Sequence, residues 1–149
     1  MKIYIAGAIS GKSADEAFEY FLTRKAMLER YGYSVLCPLT AKGHLRTETT
    51  FKASDYRHPI STNRAIIGRD RWMVKQADIV YLNLSSATSA SIGSMFELAW
   101  AYDTGKHIIA VIPEGNIHQH AFVIQAADIV FQNEEEAMKY LADLGKDVN

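Results

Sequence analysis

Five short apolar runs punctuate the chain, and most stretches between them repeat their apolar positions every three or four residues. The runs are Lys2 to Ala6, Ser34 to Cys37, Ile79 to Leu84, His107 to Ile112 and Ile129 to Phe131. They are too short for helices and rich in β-branched residues, so they predict strands. Between the first two, Ser13 to Tyr31 carries Ala17, Phe18, Phe21, Leu22, Met27 and Leu28 as an approximate helical stripe. Ser13 followed by Glu16 predicts a capping box, and Gly32 a helix stop. Further helices are expected from Asn63 to Ala77, capped near Thr62 or Asn63, from Gly93 to about Asp103, and beyond Asn133 or Glu134. The last has Ala137, Met138, Tyr140, Leu141 and Leu144 as its apolar face. Strands alternating with helices predict an α/β fold. The expected form is a three-layer sandwich around a mostly parallel five-stranded sheet, Rossmann-like or flavodoxin-like.

One stretch, from Leu39 to about Thr62, keeps no period. It holds two histidines, several cations and two aromatics, a mixture suited either to cover a ligand or to form a surface excursion. His44 and His58 have no metal-ligand spacing with any Cys or acid, so neither a metal nor a cofactor is expected.

At 149 residues the chain is expected to form one domain, and its apolar fraction of 48% suffices for a core. A net charge of -1 offers no general attraction to a nucleic-acid polymer or an anionic membrane. The single cysteine, Cys37, ends a strand-like run and reads as a buried structural thiol. Met1-Lys2 leads straight into a strand, and no apolar run reaches membrane length, so the expected location is the cytoplasm.

The candidate chemistry centres on Glu97. It follows a buried strand and a small-residue loop, Ser85 to Ser91, and has Phe96, Leu98 and Trp100 around it. Ligands of open α/β sheets lie at such strand ends, and a carboxylate among apolar side chains is costly unless used. Tyr4 in the first strand and Asp70 in the preceding helix are candidates to converge on it. Two carboxylates beside such a loop suggest acid and nucleophile roles at a sugar or acyl centre. The turn Gly7-Ala8-Ile9-Ser10-Gly11-Lys12 suits anion binding through its amides, although it matches neither a P-loop nor a dinucleotide fingerprint.

The segment Ser91-Ile92-Gly93-Ser94-Met95-Phe96-Glu97-Leu98 resembles the signature of the nucleoside 2-deoxyribosyltransferase family, in which Gly-x-x-x-Glu-Leu carries the reactive glutamate. The resemblance extends to Ile3-Tyr4-Ile5-Ala6-Gly7, to Asp70 and to Ala126-Ala127-Asp128. It implies that Glu97 attacks the anomeric carbon of a 2-deoxyribosyl group, that Asp70 exchanges a proton with the base, and that Tyr4 positions Glu97. It also implies a nucleoside or nucleotide and a free nucleobase as substrates, and a homodimer or higher homo-oligomer that shares its active sites.

In family members acting on free nucleosides an aspartate stands at the position of Ser91. A related branch, the 2′-deoxynucleoside 5′-monophosphate N-glycosidases, has serine there and a Gly-Ser-Ile-Arg-Gly-Gly turn near the first strand. The resemblance thus implies that Ser91, with Gly7, Ile9, Ser10, Gly11, Ser89 and Gly93, lines the substrate site, and that Ser91, Ser10, Gly11 and Ser89 can receive a 5′-phosphate. Lys12 in place of a glycine and Ser10 in place of an arginine depart from that branch. His120 and Phe122 fall where the family reaches the 5′ end from a neighbouring subunit, whereas His118 reads as a loop residue. Transfer to a second base is the leading expectation. Hydrolysis by the same residues is the near alternative, and a non-catalytic nucleotide-binding module is the alternative from another class.

Overall fold

The computed structural model describes residues 1–9, 11–52 and 54–147. Its strands are β1 (Lys2–Gly7), β2 (Ser34–Leu36), β3 (Ile79–Asn83), β4 (His107–Val111) and β5 (Ile129–Phe131). Its α-helices are α1 (Ala14–Arg30), α2 (Asn63–Gln76), α3 (Ile92–Asp103), α4 (Ala121–Ala126) and α5 (Glu134–Asp147). All strand pairs are parallel, in the order β2-β1-β3-β4-β5. The expected α/β sandwich is the one observed. Its order reverses between β1 and β3, which opens a crevice at their C-terminal ends, the usual ligand position in open sheets.

Strand periodicity divides the core in two. Ile3, Ile5, Tyr81, Ile109 and Val111 face Phe18, Phe21 and Leu28 of α1 and Leu141 of α5. Tyr4, Ala6, Val80, Leu82, Ile108 and Ala110 face Met73 and Val74 of α2, Leu98 of α3 and Val123 of α4. The central strand β3 is buried at every residue, which is why its sequence is apolar without alternation.

The helix ends follow their predicted chemistry. Ser13 accepts from the Glu16 N–H while the Glu16 carboxylate accepts from the Ser13 N–H, and Thr62 accepts from Ala65 N. Gly32 has φ 93, the left-handed conformation that ends α1 at low cost. Leu22 and Met27, expected in the apolar stripe of α1, are instead exposed, because the helix turns only its Ala17–Phe18–Phe21–Leu28 side to the sheet. Arg24 and Glu134 clamp α1 to the start of α5, with Nε–Oε1 at 2.9 Å and a second bond at 2.5 Å. Tyr81 Oη also donates to Glu134 from the sheet, at 3.0 Å.

The stretch without a period is not a free excursion. It contains two 3-10 turns, Gly43–Thr47 and Pro59–Ser61, and buries Leu39, Leu45 and Phe51 in the α1 side of the core. Phe51 N–H donates to Lys12 O at 2.8 Å and Gly11 N–H donates to Phe51 O at 3.1 Å, pinning the segment to the β1–α1 turn. His44 and His58 stack at 3.8 Å, and no metal-binding cluster exists among the described residues. Cys37 is buried, as its sequence context predicts, and burial raises its thiol pKa. Among the described residues no helix is long and apolar enough to cross a membrane.

Gly145 tests the packing of α5. A Cβ there would stand 2.4 Å from the Tyr31 carbonyl oxygen, which is backbone and cannot swing away. Gly→Ala inside a helix ordinarily gains up to about 1 kcal/mol. Gly145→Ala should instead lose about 1–3 kcal/mol in denaturant unfolding, because α5 must shift off the end of α1; a stabilised variant would contradict this packing.

Candidate active site

Three elements bring the predicted acids and the tyrosine together. Tyr4 lies mid-way along β1 and points to the α2–α3 side, Asp70 lies on α2, and Glu97 lies in the second turn of α3. Tyr4 Oη donates to Glu97 Oε1 at 2.5 Å. Glu97 is only 8% exposed, so its carboxyl is nearly withdrawn from water. Burial, then the nearby Asp70 charge, push its pKa up to about 8, while the Tyr4 hydrogen bond and Lys42 pull the other way. Tyr4 itself is held far above its ordinary value, first by burial and then by Glu97, so it remains a donor.

Asp70 is raised as well, chiefly by burial, with Lys42 and Arg69 opposing. Its Oδ1 is buried and has no hydrogen-bond partner, although the side chain lines the same cleft as Glu97. Two buried carboxyls, one of which is raised by the charge of the other, suit one ionised and one protonated member. The cleft they line encloses about 480 Å³, enough for a small-molecule ligand.

Gly7, Ile9, Ser89, Ser91 and Gly93 border this cleft with Ala8, Lys52 and Tyr56. Gly7 is required by close approach, since a Cβ would meet Asn83 O of the neighbouring strand at 3.0 Å. Ser10 lies outside the described residues. The expectation of free amides in the β1–α1 turn needs correction: Gly11 N–H is taken by Phe51 O and Lys12 N–H by Ile9 O. The unpatterned segment takes the first and the turn itself the second, while the Lys12 ammonium donates to Ser86 Oγ at 3.1 Å and remains a cation at this turn.

Ser91 N-terminally flanks α3 and is held by a residue the sequence left in a loop. Its N–H donates to His118 Nε2 at 3.0 Å, and its hydroxyl donates to Ser94 Oγ at 2.9 Å. An acceptor at Nε2 places the His118 proton on Nδ1, which donates to Asn116 Oδ1 at 3.1 Å. His118 is 4% exposed, and burial lowers its pKa, which keeps the neutral form this bond needs. His118 does lie in a loop, as its sequence context predicts, but it is a buried support of the α3 entry.

His120 and Phe122 do not join the cleft of their own chain. His120 caps α4, accepting from Phe122 N, and Phe122 is 82% exposed. They border a separate apolar groove between α3 and α4 with Met95, Tyr102 and Ile117.

Sequence reasoning missed Lys42, which is 4% exposed and lines the cleft with Asp70 and Glu97. A lysine in a stretch without periodicity carries no signal of burial. Only its place just beyond the C-terminal end of a strand hinted at a site.

Glu97 makes stability depend on pH. In the fold it keeps its proton up to about 8, whereas unfolded it releases it near its ordinary 4.5. Its contribution is thus full below pH 4.5 and is lost as pH rises to about 8; the loss is on the order of 5 kcal/mol. Glu97→Gln should match the wild type in Tm near pH 5 and exceed it by roughly 10 °C near pH 9. Parallel Tm profiles for the two proteins would contradict the buried carboxyl.

A sequence model of the nucleoside 2-deoxyribosyltransferase family matches residues 3–140. No match was found among curated proteins. Among solved structures, a 2-deoxyribosyltransferase from Bacillus psychrosaccharolyticus aligns with TM-score 0.67 and 17% identity, over 94% of this chain and 92% of that one. A CMP N-glycosidase from Clostridium botulinum aligns with TM-score 0.59 and 17% identity, over 97% and 98%. A conserved protein from Enterococcus faecalis V583 aligns with TM-score 0.53 and 15% identity, over 99% and 94%. At these identities the structural likenesses establish a shared fold.

Proposed function

The chain belongs to the nucleoside 2-deoxyribosyltransferase family, and we propose that residues 1–149, as one unit, transfer 2-deoxyribose between nucleobases through a covalent bond to Glu97. The observation that carries this reading is the 2.5 Å bond from Tyr4 to Glu97, in a cleft that Asp70 also lines. The reactive form is the one in which the proton that Glu97 holds up to about pH 8 has moved to Asp70, leaving Glu97 ionised. The N-glycosidic electron pair leaves with the base nitrogen, Asp70 protonates that base, and one Glu97 oxygen bonds the anomeric carbon. The Tyr4 hydrogen bond lowers the cost of the buried carboxylate and fixes which oxygen is free to attack. A second base, deprotonated by Asp70, then displaces Glu97 with overall retention. Neither step calls for a metal or an organic cofactor.

A 5′-monophosphate substrate, with water in place of the second base, is the second reading. Ser91 in place of a carboxylate and the Lys12 ammonium beside Ser86 favour it, since both remove repulsion toward a phosphate. A homo-oligomer is supported by the exposed Phe96, Tyr102, Ile117 and Phe122, which would bring His120 and Phe122 to a neighbour's 5′ end.

Incubating the protein with a 2′-deoxynucleoside, or its 5′-monophosphate, and a second base separates the readings. Exchanged nucleoside means transfer, and free sugar or sugar phosphate means hydrolysis. Intact-mass spectrometry should show a deoxyribosyl adduct that Glu97→Ala abolishes; turnover undiminished in Glu97→Ala would end both readings. Asp70→Asn should slow cleavage by about 10²–10⁴-fold, with a smaller loss for substrates whose base departs without protonation.

A further inference from the structure

Lys42 sits at the end of the turn after β2, and the backbone takes trouble to hold it there. Ala41 before it has φ 61, a left-handed conformation that costs a non-glycine residue of order 1 kcal/mol. Lys42 N–H donates to Leu39 O, its own carbonyl accepts from Leu45 N, and Arg69 Nη2 donates to Thr40 O at 2.7 Å. The turn is thereby tied to α2, one residue from Asp70.

The Lys42 side chain is 4% exposed and lines the cleft, yet among the described residues it has no side-chain hydrogen bond or ion pair. Asp70 is its strongest attraction, and Glu97 a weaker one. Its ammonium is not sealed from the cleft, and its three donors are left for whatever fills that space. In the same cleft Asp70 Oδ1 is likewise unpartnered. A ligand edge placed between them meets a cationic donor and a carboxyl.

We propose that Lys42 recognises the base, donating a hydrogen bond to a carbonyl oxygen of the leaving nucleobase and so selecting oxo-bases over adenine. This rests on the N-glycoside reading above. When the glycosidic bond breaks, the electron pair entering the base spreads onto its exocyclic oxygen, so the ammonium bonds the departing base more strongly than the bound substrate. No proton moves to or from Lys42 in that step. An adenine amino group in the same place presents a donor to a donor and leaves the ammonium unpaired.

The test compares 2′-deoxyinosine with 2′-deoxyadenosine, and 2′-deoxyuridine with its 2-thio analogue, each as nucleoside and 5′-monophosphate, in wild type, Lys42→Met and Lys42→Arg. Lys42→Met should lose about 10–150-fold in kcat/KM on oxo-bases, the worth of a charged hydrogen bond, with little change on deoxyadenosine. The oxo-to-amino preference should collapse in Lys42→Met and partly survive in Lys42→Arg. Lys42→Met should also melt no lower than wild type, because a largely withdrawn lysine without an ion pair is replaced by an apolar side chain. Equal losses on every base, with a displaced pH profile, would overturn base recognition and leave Lys42 as a mere counter-charge for the carboxyls. If the wild type cleaves none of these substrates, the N-glycoside reading itself fails and the inference falls with it. Should Lys42→Met not fold, Lys42→Gln supplies the same comparison.

Discussion

A carboxyl withdrawn from water and held by one phenol organises the functional end of this molecule. Glu97 would be costly to keep at its depth without the Tyr4 hydroxyl, and Tyr4 in turn has no water of its own. The bond joins the second turn of α3 to the middle of β1, elements more than ninety residues apart in the chain. Everything that sets the relation of β1 to α3 therefore sets the reactive geometry. The parallel pairing of β1 with β3 does so first, and the close approach at Gly7 allows it.

Around that bond the cleft is charged by an uneven group: two carboxyls raised by burial, Glu97 further by the Asp70 charge, and one lysine lowered by burial. Low local dielectric strengthens each of these influences, and the group is stable only because protons can be shared within it. That is an expensive arrangement for a core and a useful one for breaking a glycosidic bond. It supplies an ionised oxygen, a proton and a cation within one small space.

The entry to α3 shows how the site is supported from outside. His118, fixed by Asn116, accepts the Ser91 N–H, while Ser91 Oγ is turned to Ser94 of its own helix. The Ser91 side chain is thus engaged within the protein, unlike a group waiting unpartnered for ligand. Lys42 and Asp70 Oδ1, by contrast, are left without partners in the cleft, so the proposed base recognition falls to Lys42 and the proposed 5′ contact to the two loops holding Lys12 and Ser86.

Local pattern was enough for the strands, for α1, α2, α3 and α5, for the caps at Ser13 and Thr62, and to single out Glu97 as an acid in apolar surroundings. Period-two and period-3.6 burial, the Ser13–Glu16 box and an acid set among Phe96, Leu98 and Trp100 are all written in neighbouring residues. The segment from Leu39 to Thr62 was illegible, because its order comes from single long-range bonds such as Gly11 to Phe51 and Arg69 to Thr40. Burial of Lys42, the capture of the Gly11 amide by Phe51 and the bond from Ser91 to His118 are of the same kind. Each depends on which distant backbone or side chain arrives opposite it, and that is settled only when β2, β1 and β3 lie side by side and the loops at their ends meet.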